Sequence, residues 1–242
     1  MMNKLNKNAV RPMMATPRLL LANCLTWLRR VLKGDRFDNL FEALKEEILK
    51  IEALKKAEIK MLDYGCGMME FSSQLKSQKV ITDYVGMDIF PVPTTSDVSK
   101  DSKWARYKQI PKGAVDFNNV VFDLTIVTDV LHHASEQDQL QILIGLSKAS
   151  KIILIKDHFE HGYISRQLLR LADWYGNYAY GVDIPKTYFT QVSWHELINR
   201  AGLRQVSLNS HVRVHGGIFG LLIPPTFHFI SVLKGRDDNQ SS

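Results

Sequence analysis

Between Glu58 and Leu75 the chain reads EIKMLDYGCGMMEFSSQL. A short apolar run, Ile59 to Leu62, ends in Asp63 and turns through Gly65, Cys66 and Gly67. It then passes into a helix-like segment with Phe71 and Leu75 on one face. Strand, tight glycine turn and helix in immediate succession bring a ligand against backbone N–H groups at a helix N-terminus. Glycine is required there because a Cβ blocks either the turn or the close approach. The same unit also serves as a plain βα turn, so its meaning depends on what stands at the ends of the later strands.

Those ends are polar. The next strand is expected over Val80–Asp88 and closes on a carboxylate 25 positions after Asp63. A strand-terminal acid at this spacing can accept hydrogen bonds from both ribose hydroxyls of a nucleoside. Nicotinamide-cofactor folds use the same device, so Asp88 alone does not choose the cofactor. A third short strand is expected around Trp104–Gln109, and Leu124–Thr128 reads as a fully buried central strand. It runs into Asp129-Val130-Leu131-His132-His133, and the following strand, Lys151–Lys156, ends at Asp157-His158. Polar groups at the carboxyl ends of parallel strands lie in the crevice where such sheets bind ligands. An imidazole there, with a pKa near 6.5, can take a proton from a hydroxyl at neutral pH. His158 is therefore the first candidate for a base, with His132 beside it.

Asp63-Tyr64-Gly65-Cys66-Gly67 resembles the first motif, D-x-G-C-G-x-G, of class I S-adenosylmethionine (SAM)-dependent methyltransferases, and Phe122–His133 resembles that family's FD…DVLHH segment. The resemblance covers most of residues 58–233, with Met69 standing where a third glycine is usual. It implies SAM as cofactor, held by Asp63, Tyr64, Gly65, Cys66, Gly67, Asp88 and Ile89. It implies that Gln109 and Ile110 neighbour the adenine, and that Asp129 and Val130 face the methionine part at the substrate mouth. His132 and His133 are then cofactor or substrate contacts. Adjacent histidines point in different directions, and no Cys or carboxylate pair completes a metal site beside them, so no metal is expected.

Residues 160–190 form the longest departure from a minimal fold. A helix over Tyr163–Asp173 is followed by Trp174, Tyr175, Asn177, Tyr178 and Tyr180, punctuated by Gly176 and Gly181, with Tyr188 beyond. This reads as an aromatic lid over an apolar or aromatic acceptor, with Asn177 and the tyrosine hydroxyls as fixing groups. The lid is not basic enough to hold phosphates, which argues against nucleic acid.

The net charge of +6 is uneven: residues 1–34 carry seven Lys or Arg and no acid. Within that segment a helix over about 18–33 sets Leu21, Leu25, Leu28 and Leu32 opposite Asn23, Thr26, Arg30 and Lys33. Such a helix lies in a membrane interface, or packs as a lid or against a dimer partner. The Leu19–Leu25 run is too short and polar to span a bilayer. Only Cys24 and Cys66 are present, without disulfide or zinc spacing, which fits a cytoplasmic setting, membrane-associated if the helix binds lipid.

The chain thus divides into a basic segment (1–34), one α/β domain (35–236) with its lid insertion (160–190), and a polar tail (237–242). The expected fold is a doubly wound, Rossmann-like sheet of seven mostly parallel strands. Its last strand is antiparallel, and helices precede it. The expected function is methyl transfer from SAM to a small apolar, aromatic or lipid-linked acceptor, on oxygen. The competing readings are an RNA or protein methyltransferase, and a catalytically silent relative.

Overall fold

A computed structural model describes residues 36–51, 59–67, 69, 71, 74–75, 81, 83–91, 105–114, 117, 120–177 and 182–235. The basic N-terminal segment, its helix and the polar tail lie outside them.

Helix α1 runs over 36–50 and buries Leu40, Phe41, Leu44 and Ile48, the positions that helical spacing places on one face. Seven strands follow: β1 (Lys60–Tyr64), β2 (Asp83–Asp88), β3 (Ala105–Gln109), β4 (Leu124–Thr128), β5 (Ile153–His158), β6 (Leu203–Asn209) and β7 (His228–Gly235). They form one sheet in the order β3-β2-β1-β4-β5-β7-β6. The five strands from β3 to β5 pair in parallel, and β7 runs antiparallel to both β5 and β6. The winding direction reverses between β1 and β4, so a crevice opens at their carboxyl ends.

Two apolar cores cover the two faces of the sheet. One gathers Leu143, Leu146, Trp194, Leu197 and Phe229 beneath α2 (Glu136–Ala149) and α4 (Gln191–Arg200). The other gathers Met61, Tyr84, Ile126 and Leu154 beneath α1. The helix α3 (Tyr163–Asn177) packs through Leu169 on Tyr188, Ile223 and Phe227 as a smaller third cluster.

One local expectation is corrected: helix α3 continues four residues past Asp173, so Trp174 and Tyr175 belong to its last turn rather than to a loop. Helix α4 is capped by Thr190, with Ser193 as the reciprocal member of the capping box. Before β7 the chain forms a short helix, α5 (Gly217–Leu222), and a 3-10 turn. Ser135 caps α2, accepting the Asp138 N–H at 3.2 Å. Among the described residues no helix is long and apolar enough to cross a membrane.

Candidate functional site

The glycine turn leaves β1 with Gly65 at φ 80° and Gly67 at φ 51°, conformations that favour glycine. A Cβ on Gly65 would lie 2.2 Å from Cγ2 of Val130, so that position tolerates no side chain. Around Gly67 nothing lies within 4 Å of where a Cβ would be, leaving space for a ligand beside the backbone. Met69 adopts the left-handed φ of 58° that suits the missing glycine, and its side chain turns into the core, 2% exposed. It does not line the crevice, so the departure from the motif is absorbed below the turn.

At the end of β2 the Asp88 carboxylate accepts the Gly67 N–H at 2.7 Å and the Phe90 N–H at 3.1 Å. These bonds fix an acidic group at the crevice edge. Asp63 lies deeper and accepts a hydrogen bond from the Tyr84 hydroxyl. Burial raises its pKa to about 7, with Asp88 adding to the rise against the Tyr84 bond.

One cleft of about 660 Å³ runs across these strand ends, within the range of small-molecule sites. Of the residues expected to hold a cofactor, Asp63, Tyr64, Gly65, Cys66, Gly67, Asp88, Ile89, Ile110, Asp129 and Val130 all line it. Gln109 does not; its side-chain amide donates to the Ile89 carbonyl at 3.0 Å. The opposite side is built by Phe37, Leu40 and Phe71, and by Gly176, Asn177 and Val182 from the lid.

The lid residues divide differently from the sequence reading. Asn177 and His133 line the cleft, but Trp174, Tyr175 and Tyr188 do not. Helical periodicity explains this, because continuing α3 turns Gly176 and Asn177 inward and leaves Trp174 46% exposed on the far side. Tyr188 is buried and donates its hydroxyl to Asp173 at 2.5 Å. Tyr178 and Tyr180 lie outside the described residues.

The two histidines expected to act as bases stand behind the cleft wall. His158 is buried, with Nε2 3.2 Å from Oδ1 of Asp129, and burial together with Lys156 lowers its pKa. His132 is also buried, between Asp157 (Nδ1 to Oδ1, 2.6 Å) and Asp173 (Nε2 to Oδ2, 3.4 Å). Burial alone would lower its pKa, but the two carboxylates push it up to about 10. Both side chains are therefore placed to position other groups. His133 is the cleft-facing imidazole, held by the Asp183 carbonyl at Nδ1 (3.0 Å), and burial and His132 lower its pKa. It is neutral at pH 7.

Sequence reasoning gave no role to four side chains. Arg36, the first described residue of α1, reaches Oδ2 of Asp129 at 2.7 Å, a pairing across 93 positions that no local pattern announces. Lys156 and Asp157 had a signal, since charged residues ending an apolar strand demand partners. Asp173, on the lid helix, comes together with His132 and His133, their donor atoms all within 4.8 Å of one another. The 3-10 turn at Leu131–His133 brings the two imidazoles to 4.0 Å, against the expectation that neighbours diverge.

No curated protein sequence matches the chain. Solved structures share its fold. One belongs to the complex between the Haloferax volcanii Trm112 methyltransferase activator and a methyltransferase (TM-score 0.62, 13% identity, covering 85% of this chain and 93% of that one). Another is a SAM-dependent methyltransferase from Clostridium acetobutylicum (TM-score 0.56, 9% identity, 90% and 100% covered). A third, LepI in complex with SAM, is similar over 79% of this chain and 46% of its own (TM-score 0.56, 14% identity). The family described as a methyltransferase domain matches residues 36–208, the span that contains the glycine turn, Asp88, Asp129 and the lid. The chain belongs to this methyltransferase-domain family.

Proposed function

We propose that the chain transfers the methyl group of SAM to an oxygen of a small apolar or aromatic acceptor. The observation that carries this reading is the cleft at the strand ends, in which Gly67 and Asp88 share a wall system with Phe37, Leu40, His133 and Asn177. The open space at Gly67 and the fixed Asp88 carboxylate fit a nucleoside cofactor, and a protein of similar fold was solved with SAM. Bound there, SAM supplies an electrophilic methyl group on a sulfonium.

The chain's own contribution is placement. Asp88 holds the ribose hydroxyls, and Asp129, fixed by Arg36 and Lys156, receives the cofactor's amino group. Apolar side chains on the other wall exclude water and hold the acceptor in line, which can supply much of the barrier reduction. His133 and Asn177 are the polar groups that meet the acceptor hydroxyl.

Calorimetric titration with SAM and with S-adenosylhomocysteine tests the reading, with micromolar binding of either expected. A folded protein that binds neither would leave only a methyltransferase-like scaffold. His133→Ala is expected to lower turnover about 100-fold with little change in SAM affinity. Equal turnover in the variant would remove His133 from the acceptor site.

A lipid-linked acceptor is favoured by a specific feature of α3. Its outward face exposes Tyr163, Ile164, Leu171 and Trp174, apolar side chains where a solvated helix carries polar ones. Turnover of a lipid-linked phenol that depends on vesicles would support this acceptor. Equal turnover of a water-soluble phenol without vesicles would count against it.

A further inference from the structure

We propose that His132, His133 and Asp173 form a binding site for one divalent ion of the zinc or iron(II) class, set behind the cleft wall at the point where His133 lines it. The three side chains each offer one donor, and the donors lie within 4.8 Å of one another. Nε2 of His132 and Oδ2 of Asp173 are 3.4 Å apart. That is close to the edge of a tetrahedron whose centre lies about 2.0–2.1 Å from its corners, the bond length of such ions to imidazole and carboxylate. Two imidazoles and one carboxylate suit ions of intermediate softness rather than calcium or magnesium.

The surroundings of the three donors favour a ligand set. His132 hands Nδ1 to Asp157 at 2.6 Å, the carboxylate–histidine arrangement that orients the other nitrogen toward a metal. Asp157 is itself fixed by the His158 N–H at 2.8 Å. His133 is anchored through Nδ1 on the Asp183 carbonyl at 3.0 Å, and Asp173 by the Tyr188 hydroxyl at 2.5 Å. Each donor residue thus has an outer partner at another atom or another angle. Nε2 of His132, on a side chain fully out of solvent, lies 3.4 Å from Oδ2 of Asp173 without a well-formed hydrogen bond to it, and an ion between the two would satisfy both.

Three protein ligands leave a coordination position open, as in catalytic rather than structural sites. His133 and its neighbours Ala134 and Asn177 line the cleft, so that position faces the acceptor space. On the methyl-transfer reading, an acceptor hydroxyl bound there loses its proton to water. The resulting oxygen keeps the electron pair that forms the new bond to the methyl carbon, and the departing sulfur takes the pair of the broken bond. The substrate class that fits is a phenol or enol with a second oxygen able to chelate.

The test is titration of the full chain, stripped with a chelator, with Co²⁺ followed by visible absorption. One equivalent is expected to give intense d–d bands of low coordination number, displaced by Zn²⁺. His132→Gln and Asp173→Asn are expected to weaken Co²⁺ binding at least about 100-fold, in line with loss of a ligand. His133→Gln, at the more exposed corner, serves as a third variant should either buried substitution prevent folding. Non-saturating, weak absorption typical of aqueous Co²⁺, or spectra identical in the variants, would overturn the site and leave a proton as the bridge between His132 and Asp173. Titration with SAM separates the two readings. SAM binding and chelator-insensitive turnover would remove the metal and keep methyl transfer, whereas saturable Co²⁺ binding without SAM binding would do the reverse.

Discussion

Lys156, with its side chain fully out of solvent, sets its ammonium 2.5 Å from Oδ1 of Asp129, and Asp129 holds a left-handed backbone at φ 55° to receive it. The two strands are tied at the same point by the Asp129 N–H, which donates to the Lys156 carbonyl at 2.9 Å. Burial alone would raise the Asp129 pKa. Lys156, His158 and Arg36 instead hold it well below the ordinary carboxylate range. Asp129 is therefore an anion at neutral pH.

Removing one partner of such a pair leaves the other charged and buried. Lys156→Met is expected to lower stability by about 3–5 kcal/mol, measured by urea unfolding. A loss below about 1 kcal/mol would show that water or Arg36 compensates the carboxylate.

Asp88→Ala removes the acceptor proposed for the ribose. Hydrogen bonds to a charged group contribute roughly 1.5–3 kcal/mol each, so SAM affinity is expected to fall at least about 100-fold while the far-ultraviolet dichroism stays unchanged. Unchanged affinity by calorimetry would reassign the ribose contact.

Asp63 makes stability depend on pH in an unusual direction. Its folded pKa of about 7 lies above the ordinary aspartate value of 3.8, so the folded state binds the proton more tightly than the unfolded one. Its contribution is neutral below about pH 4 and grows unfavourable as pH rises to 7, by on the order of 4 kcal/mol. Asp63→Asn is expected to flatten that decline, seen as a melting temperature that changes less between pH 4 and 7 than in the parent. Parallel profiles for the two proteins would sink the argument.

Met69→Gly weighs backbone against core. Relief of a left-handed non-glycine residue returns about 1–2 kcal/mol, whereas loss of a buried methionine side chain costs about 2–5 kcal/mol. Net destabilisation is expected on thermal melting, with SAM affinity unchanged because the side chain faces away from the cleft. A gain in stability would mean that the strain exceeds the packing.

What was legible in the sequence was what a strand end or a helical period dictates. The glycine turn, Asp88 and Asp129 each follow an apolar strand and fall where expected; Phe41, Leu44 and Ile48 repeat at helical spacing and are buried together. The lid was misjudged because aromatics after Asp173 resemble a loop, although nothing there breaks a helix before Asn177. His158 was read as a base from its strand-end position alone. Its burial comes from β7, whose antiparallel register sets His228 directly beside it, and from Asp129. Pairings such as Arg36 with Asp129 or His132 with Asp173 join distant segments, and only the assembled sheet and lid reveal them.

The place of Arg36 and Phe37 in the cleft has a mechanical consequence. A shift of α1 relative to the sheet would draw the guanidinium away from Asp129, 2.7 Å from it, and leave that carboxylate to Lys156 and His158 alone.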